Sequence, residues 1–224
     1  AGVKGIVIRV ESPGGAVAAS QEIYARLEQL RADSFPIVAS YGNISASGGF
    51  YSTLPAEVIF ASSGTLTGSI GVITEFMHGE KLMEKIGVEA STVTSGKLKS
   101  AGSPYRSPSE MDLAYFQDVV DDTHRQFVSA VGKWRKISAD SLSVYADGRV
   151  FTGRRAQELG LVDSLGGLDA AIAWLSNRCH LEQIPSQLEE VVPQKPFLKE
   201  LMEGVESSIS PLLGTGAKVL WKMP

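Results

Sequence analysis

The sequence predicts an α/β fold: a core of parallel strands and helices with a helical C-terminal part. Three observations predict it. Short β-rich runs alternate with helical or glycine-rich pieces over the first 100 residues. Two glycine clusters, Ser12-Pro13-Gly14-Gly15 and Ser45-Ala46-Ser47-Gly48-Gly49, each follow such a run. Beyond residue 106 the apolar spacing becomes that of helices. With 224 residues, 43% hydrophobic and 21% charged, the chain fits one globular domain plus a small appendage, which excludes disordered, collagenous and disulfide-scaffold classes.

In chain order, Gly5–Val10 reads as a buried strand and Ala16–Arg31 as a helix, with Ile23, Leu27 and Leu30 on its expected buried face. Pro36 closes a linker before strand Ile37–Tyr41, and a short helix is expected over Gly49–Leu54. Val58–Ala61, Gly71–Thr74 and Val88–Val93 are further strand candidates. Ser107-Pro108-Ser109-Glu110 predicts a helix start with Ser107 as cap, Pro108 first in the helix and Glu110 completing the box. The stripe Phe116, Val120, Thr123, Phe127 and Val131 continues that helix. Thr152-Gly153-Arg154-Arg155-Ala156 starts a short helix closed by Gly160, and Leu168, Ala171, Ile172 and Leu175 mark another. A domain over 1–178 and a C-terminal extension over 179–224 are expected. The extension carries an amphipathic turn at Phe197, Leu198, Leu201, Met202 and Val205, then a Ser/Gly/Pro-rich Ser207–Gly216. From Pro193 onward its charge is near neutral, so it is read as packing on the core or a neighbouring subunit rather than on a membrane surface.

Charge and cysteine content narrow the partners. Lys+Arg number 21 against 25 Asp+Glu, a net charge of −4 and a pI near 5.5, with no basic stripe, so nucleic acid is not an expected partner. The single cysteine, Cys179, and its neighbour His180 supply too few ligands for zinc and no redox pair, so no metal or cofactor is expected. No run of 18 apolar residues is present, and no signal-peptide pattern opens the sequence. The abrupt start on a strand leads to the expectation of a proteolytic core whose membrane anchor has been removed.

The chemistry centres on Ser47. Small neighbours leave its hydroxyl open to a carbonyl, and a helix starting after it would point free N–H groups at the site. In the other cluster, paired glycines let backbone N–H groups approach a ligand closely. Both clusters follow strands, where open α/β sheets bind ligands, and neither a Walker motif nor Gly-x-Gly-x-x-Gly supports a phosphate cradle. For a base the sequence offers His78, or a lysine from Ser95-Gly96-Lys97-Leu98-Lys99-Ser100, where spacing does not separate Lys97 from Lys99.

Five motifs in order resemble the bacterial signal peptide peptidase A family of membrane-associated Ser–Lys dyad proteases, related in fold to the Clp protease subunit and the crotonases. They are Ser12-Pro13-Gly14-Gly15; Ala46-Ser47-Gly48-Gly49-Phe50-Tyr51; Leu66-Thr67-Gly68-Ser69-Ile70-Gly71-Val72; Ser95-Gly96-x-x-Lys99-Ser100; and Val150-Phe151-Thr152-Gly153 leading to Gly160-Leu161-Val162-Asp163. The match runs to about residue 175. The resemblance implies a Clp/crotonase-like core, Ser47 as nucleophile, Lys99 as general base with Lys97 a bystander, and Ser69 as the serine that orients the lysine amine. It implies an oxyanion hole from Gly48 and the Gly14-Gly15 turn, without choosing between those two glycines. Thr152-Gly153 and Asp163 read as structural. Glu11 stands where the family usually has Asn, and a carboxylate near the site would raise the lysine pKa.

Also implied are cleaved signal peptides or other membrane-released hydrophobic peptides as substrates, no metal or cofactor, a homo-oligomer, and a catalytic domain outside the cytoplasmic membrane behind an anchor absent here. Two rival readings remain: a Clp-like Ser–His–Asp peptidase using His78, and a non-catalytic scaffold that keeps the fold.

Overall fold

The computed structural model describes residues 2–185 and 220–222. The expected amphipathic turn at Phe197–Val205 and the Ser207–Gly216 stretch lie outside the described residues. The chain divides into two compact units, one built from Ala1–Ile73, Val119–Ser186 and Val219–Pro224, the other from Thr74–Asp118 and Gln187–Lys218.

The first unit is built on one long strand. β1 (Ile6–Ser12) and β3 (Ile37–Ala46) pair in parallel, and β3 also pairs in parallel with β4 (Val58–Ala61) along its first half and with β5 (Leu66–Gly68) at its end. β7 (Ser164–Leu165) continues the sheet in parallel beside β4, while β6 (Val150–Thr152) runs antiparallel to β5. The parallel sheet expected from the alternating pattern is therefore present, with one antiparallel edge. A separate ribbon pairs β2 (Gly14–Ala16) antiparallel with β8 (Leu220–Lys222).

The first half of β3 is buried on both faces because both are covered. Ile37, Ala39 and Tyr41 belong to a core with Phe50, Leu54, Ile59, Phe127, Val131 and Leu161, while Val38 joins Phe60, Ala171 and Leu175 on the other side. The first core is closed by α1 (Val17–Ala32), α2 (Gly48–Thr53) and α4 (Glu110–Arg135), the second by α7 (Leu168–Arg178). Tyr41 is fully buried, its hydroxyl 2.9 Å from Thr53 Oγ1, and burial pushes its pKa up to about 12.

Several expectations change. Ile23 of α1 is 52% exposed; Leu27 is buried as expected, but beside it the buried side chain is Ser20, and Tyr24 stacks on Tyr51 of α2. Gly71–Thr74 is not a strand; the strand lies earlier, at β5, which has an edge of β3 to pair with. Val88–Val93 is irregular, and among the described residues of its unit there is no strand for it to join. Just before it lies α3 (Glu80–Lys85). α4 begins at Glu110, so the capping box sits two residues later than expected: Ser109 Oγ accepts from Asp112 N and Asp112 Oδ2 accepts from Ser109 N. Ser107 instead donates its N–H and hydroxyl to Glu80.

After α5 (Ala139–Ser143), Thr152 caps α6 (Gly153–Glu158), as the sequence suggested. Asp163 does more than terminate a turn. Its Oδ2 accepts from Ile59 N at 2.7 Å, and Arg135, whose side chain is 8% exposed, grips both its oxygens. Asp163→Ala leaves the Ile59 amide without its side-chain acceptor and Arg135 without its ion pair, with the Gly160 carbonyl still accepting from its Nε, and should cost about 2–4 kcal/mol in urea unfolding. Tyr41 contributes an alkaline loss of stability. The unfolded phenol ionises near pH 10 while the folded one stays neutral, so stability should fall between about pH 10 and 12, and the fall should shrink in Tyr41→Phe.

Candidate active site

Ser47 occupies the sharp joint between the end of β3 and the start of α2. Its φ of 51° and ψ of −119° are strained for a residue with a Cβ, costing on the order of 1–3 kcal/mol. Two backbone bonds enforce them: Ser47 N donates to Gly68 O at 2.9 Å, and Ser47 O accepts from Tyr51 N at 2.8 Å to open the helix. Strand–turn–helix joints of this kind are where hydrolases hold a nucleophilic serine. The Ser47 side chain is fully buried, and its Oγ has no hydrogen-bond partner among the described residues. A buried hydroxyl without a partner is costly, and a catalytic role is one reason for a fold to keep such a group; Ser45 and Thr67 nearby share the burial but not the strained joint.

The two glycine clusters meet at this joint. A Cβ added at Gly48 would lie 2.5 Å from Ser20 Oγ, 3.2 Å from Gly15 N and 3.5 Å from Gly14 Cα. One added at Gly49 would lie 3.0 Å from Ser12 O. The backbones thus touch because no side chain keeps them apart. The turn also separates the two glycines that sequence reasoning left equivalent. Gly14 N donates to Ser12 Oγ, whereas Gly15 N is the nitrogen that faces Gly48. In the sequence Ser12 stood out only as the first residue of its glycine cluster and Ser20 not at all, since a serine on a helix carries no signal of its own. The edge of β2 is taken by β8, with Gly15 opposite Trp221 in the backbone ladder.

Ser69 follows β5 as Ser47 follows β3, and Ala46 and Gly68 are paired residues, so the two serines leave neighbouring strands at the same end of the sheet. Ser69 is also buried, with φ of 50°, and its N–H donates to Arg149 O. Glu11 does not stand free. Its two carboxylate oxygens accept from Asn43 N and Ile44 N at 3.0 and 3.1 Å, and a Cβ at Gly42 would collide with it. The carboxylate serves the irregular stretch where β1 and β3 shift register.

Lys97, Lys99 and His78 belong to the second unit. Both lysines are exposed and lie on a turn in which Lys99 N donates to Gly96 O. His78 is exposed, and its Nδ1 lies 3.2 Å from the Arg106 carbonyl rather than beside an acid, which a Ser–His–Asp arrangement needs.

A comparison with known families matches residues 29–182 to peptidase family S49. The chain belongs to that family. Among its S49 relatives, a Synechocystis protein whose name describes it as a protease is 41% identical over 199 residues, 89% of this chain and 72% of its own. An Enterococcus faecium protein named as a signal peptide peptidase A is 38% identical over 76% of this chain and 49% of its own, and Protease 4 of Salmonella typhi is 33% identical over 99% and 35%. The chain thus spans about half or less of the latter two relatives. These matches place it with the signal peptide peptidase A group of serine peptidases, and its mixed sheet with helices is consistent with a Clp/crotonase-like core.

The packing at the joint predicts a contrast. Gly14 has φ of 118°, so Gly14→Ala should lose about 1–3 kcal/mol in thermal unfolding, while a Cβ at Gly15 meets open space and Gly15→Ala should unfold like the wild type.

Proposed function

We propose that this chain is a serine endopeptidase working through a Ser47–Lys99 dyad. Ser47 Oγ attacks the peptide carbonyl carbon as Lys99, as neutral amine, takes its proton. Collapse of the tetrahedral intermediate breaks the C–N bond, and the lysine proton passes to the leaving amine. Water, deprotonated by the same lysine, then hydrolyses the acyl-enzyme. The N–H groups of Gly15 and Gly48 hold the oxyanion, the Gly14 N–H being held by Ser12, and Ser69 orients the lysine amine.

The observation that carries this reading is the strained, buried, unpartnered Ser47 hydroxyl beside two abutting glycine backbones. Names borne by the relatives, protease and signal peptide peptidase A, support cleaved signal peptides and other membrane-released hydrophobic peptides as substrates. No helix among the described residues is long and apolar enough to cross a membrane, so attachment would come through an anchor outside them, with the catalytic domain on the outer side of the cytoplasmic membrane. We further propose a homo-oligomer whose sites face a shared interior. The chemistry calls for neither metal nor cofactor.

Hydrolysis of a hydrophobic peptide by point variants tests the dyad. Ser47→Ala and Lys99→Ala should each lose about 10³-fold or more in kcat/KM, while Lys97→Ala and His78→Ala stay near wild type. An inactive Lys97→Ala with an active Lys99→Ala would overturn the dyad, and an inactive His78→Ala would favour a Ser–His–Asp site. If a fluorophosphonate probe labelled no serine at any pH, the chain would be a scaffold rather than an enzyme.

A further inference from the structure

The Lys99 turn is held within its own unit by a clamp that the proposed mechanism does not use. Arg106 reaches back to the residue after the lysine: Nη2 donates to Ser100 O at 3.1 Å and to Ser100 Oγ at 3.3 Å, with Nε 3.4 Å from the same hydroxyl. The other arm, Nη1, donates to Asp112 Oδ2 at 2.5 Å and to Ser107 O at 3.1 Å. Asp112 is 2% exposed and is itself fixed, because it forms the capping box of α4 with Ser109. Arg106 and the Ser109 amide hold its carboxyl well below the usual carboxylate range, so the pair stays charged throughout the neutral and alkaline range. Ser107, next in the chain, is tied to Glu80 at the start of α3. On its other flank the turn rests on an aromatic pair. Gly102, with φ of 74°, leaves no room for a Cβ against Phe76, whose ring lies 4.4 Å from that of Phe116.

We propose that Arg106, locked by Asp112 on the first turn of α4, is the positioning residue for the general base Lys99. The inference rests on the Ser47–Lys99 reading above. A lysine side chain is a flexible four-carbon stem, so the backbone at its root decides where the amine spends its time. A base works only within hydrogen-bond reach of the proton it removes, and a misplacement of about 1 Å costs on the order of 10²-fold. A planar guanidinium fixes both the carbonyl and the hydroxyl of Ser100 in one plane and never gives up its charge; an ammonium at the same place makes no such fork. Arg106 touches no reacting atom and acts through the turn.

The test compares kinetics and pH profiles of wild type, Arg106→Gln, Arg106→Lys, Asp112→Asn and Lys99→Ala. Arg106→Gln and Arg106→Lys should lower kcat about 10²-fold with KM little changed, and the acid limb of kcat/KM, set by the general base of the proposed dyad, should move to higher pH. Asp112→Asn, which keeps the shape of the side chain but weakens its hold on Arg106, should shift the limb the same way by less. If Arg106→Gln does not fold, Arg106→Lys and Asp112→Asn decide the matter through the same limb. A loss of kcat that only tracks the folded fraction by circular dichroism, with an unmoved limb, would show a merely structural clamp and overturn the proposal. An inactive Lys99→Ala beside fully active clamp variants would overturn it while leaving the dyad standing. An active Lys99→Ala would remove the dyad and the positioning role together.

Discussion

The first unit depends on one enforced backbone conformation, that of Ser47. A parallel strand must end and a helix begin within one residue, and the only free choices are which carbonyl receives the serine amide and which amide reaches its carbonyl. Gly68 supplies the first and Tyr51 the second. β5 therefore has to lie in register beside the end of β3, and α2 has to start at once, which drives Gly48 into the backbone of the Gly14-Gly15 turn. Ser20 of α1 completes the contact, so even the face that α1 buries follows from this joint. The strain is held by the covered sheet on either side, where β3 is buried on both faces.

The best-buried charges of this unit serve for support. Asp163 and Arg135 link three separate pieces of chain, α4, the start of β4 and the turn before β7, through one carboxylate. Glu11 has the corresponding task at the β1–β3 irregularity, where its two oxygens satisfy amides that a bulged strand leaves without a partner. An acidic residue next to a glycine-rich turn invites a catalytic reading, yet here its hydrogen-bonding capacity goes to the backbone. In the second unit Arg106 and Asp112 play the same part for the turn that carries the lysines, one ion pair serving two loops and a helix end. In all three cases a side chain with fixed, multiple hydrogen-bonding positions replaces a ladder that irregular backbone does not form.

What was legible in the sequence was local. The β-rich runs at Ile37–Tyr41 and Val58–Ala61, the glycine clusters and the Thr152 cap depend on backbone preference and side-chain period, which neighbouring residues express by themselves. So the α/β class with a parallel sheet was readable, and so was the glycine-flanked joint at Ser47 as a candidate site. Ile23 was misassigned because an apolar residue on a helix shows that a face is buried, not which helix will cover it; Ser20 is buried where the backbone of Gly48 comes up against it. Val88–Val93 has strand composition but no partner edge among the described residues, and a strand is defined by its partner. The α4 start was off by two residues because Ser107 and Ser109 are equivalent as caps until Glu80 claims one of them.

The sequence by itself thus determined the fold class and the main strands and helices of its first half, and it singled out Ser47 as the candidate nucleophile, since these readings follow from period, turn chemistry and residue type along a short stretch of chain. Only the tertiary structure decided that the two glycine clusters touch, that Ser12 claims the Gly14 amide and leaves Gly15 facing Gly48, and that Glu11 and Arg106 spend their charges on backbone and turns. The physical reason is that a hydrogen-bond donor has no partner until the fold brings one within about 3 Å: Glu11 on β1 reaches amides of β3 and Gly15 meets Gly48 from a distant part of the chain, while the local Ser12–Gly14 bond depends on which turn the chain adopts.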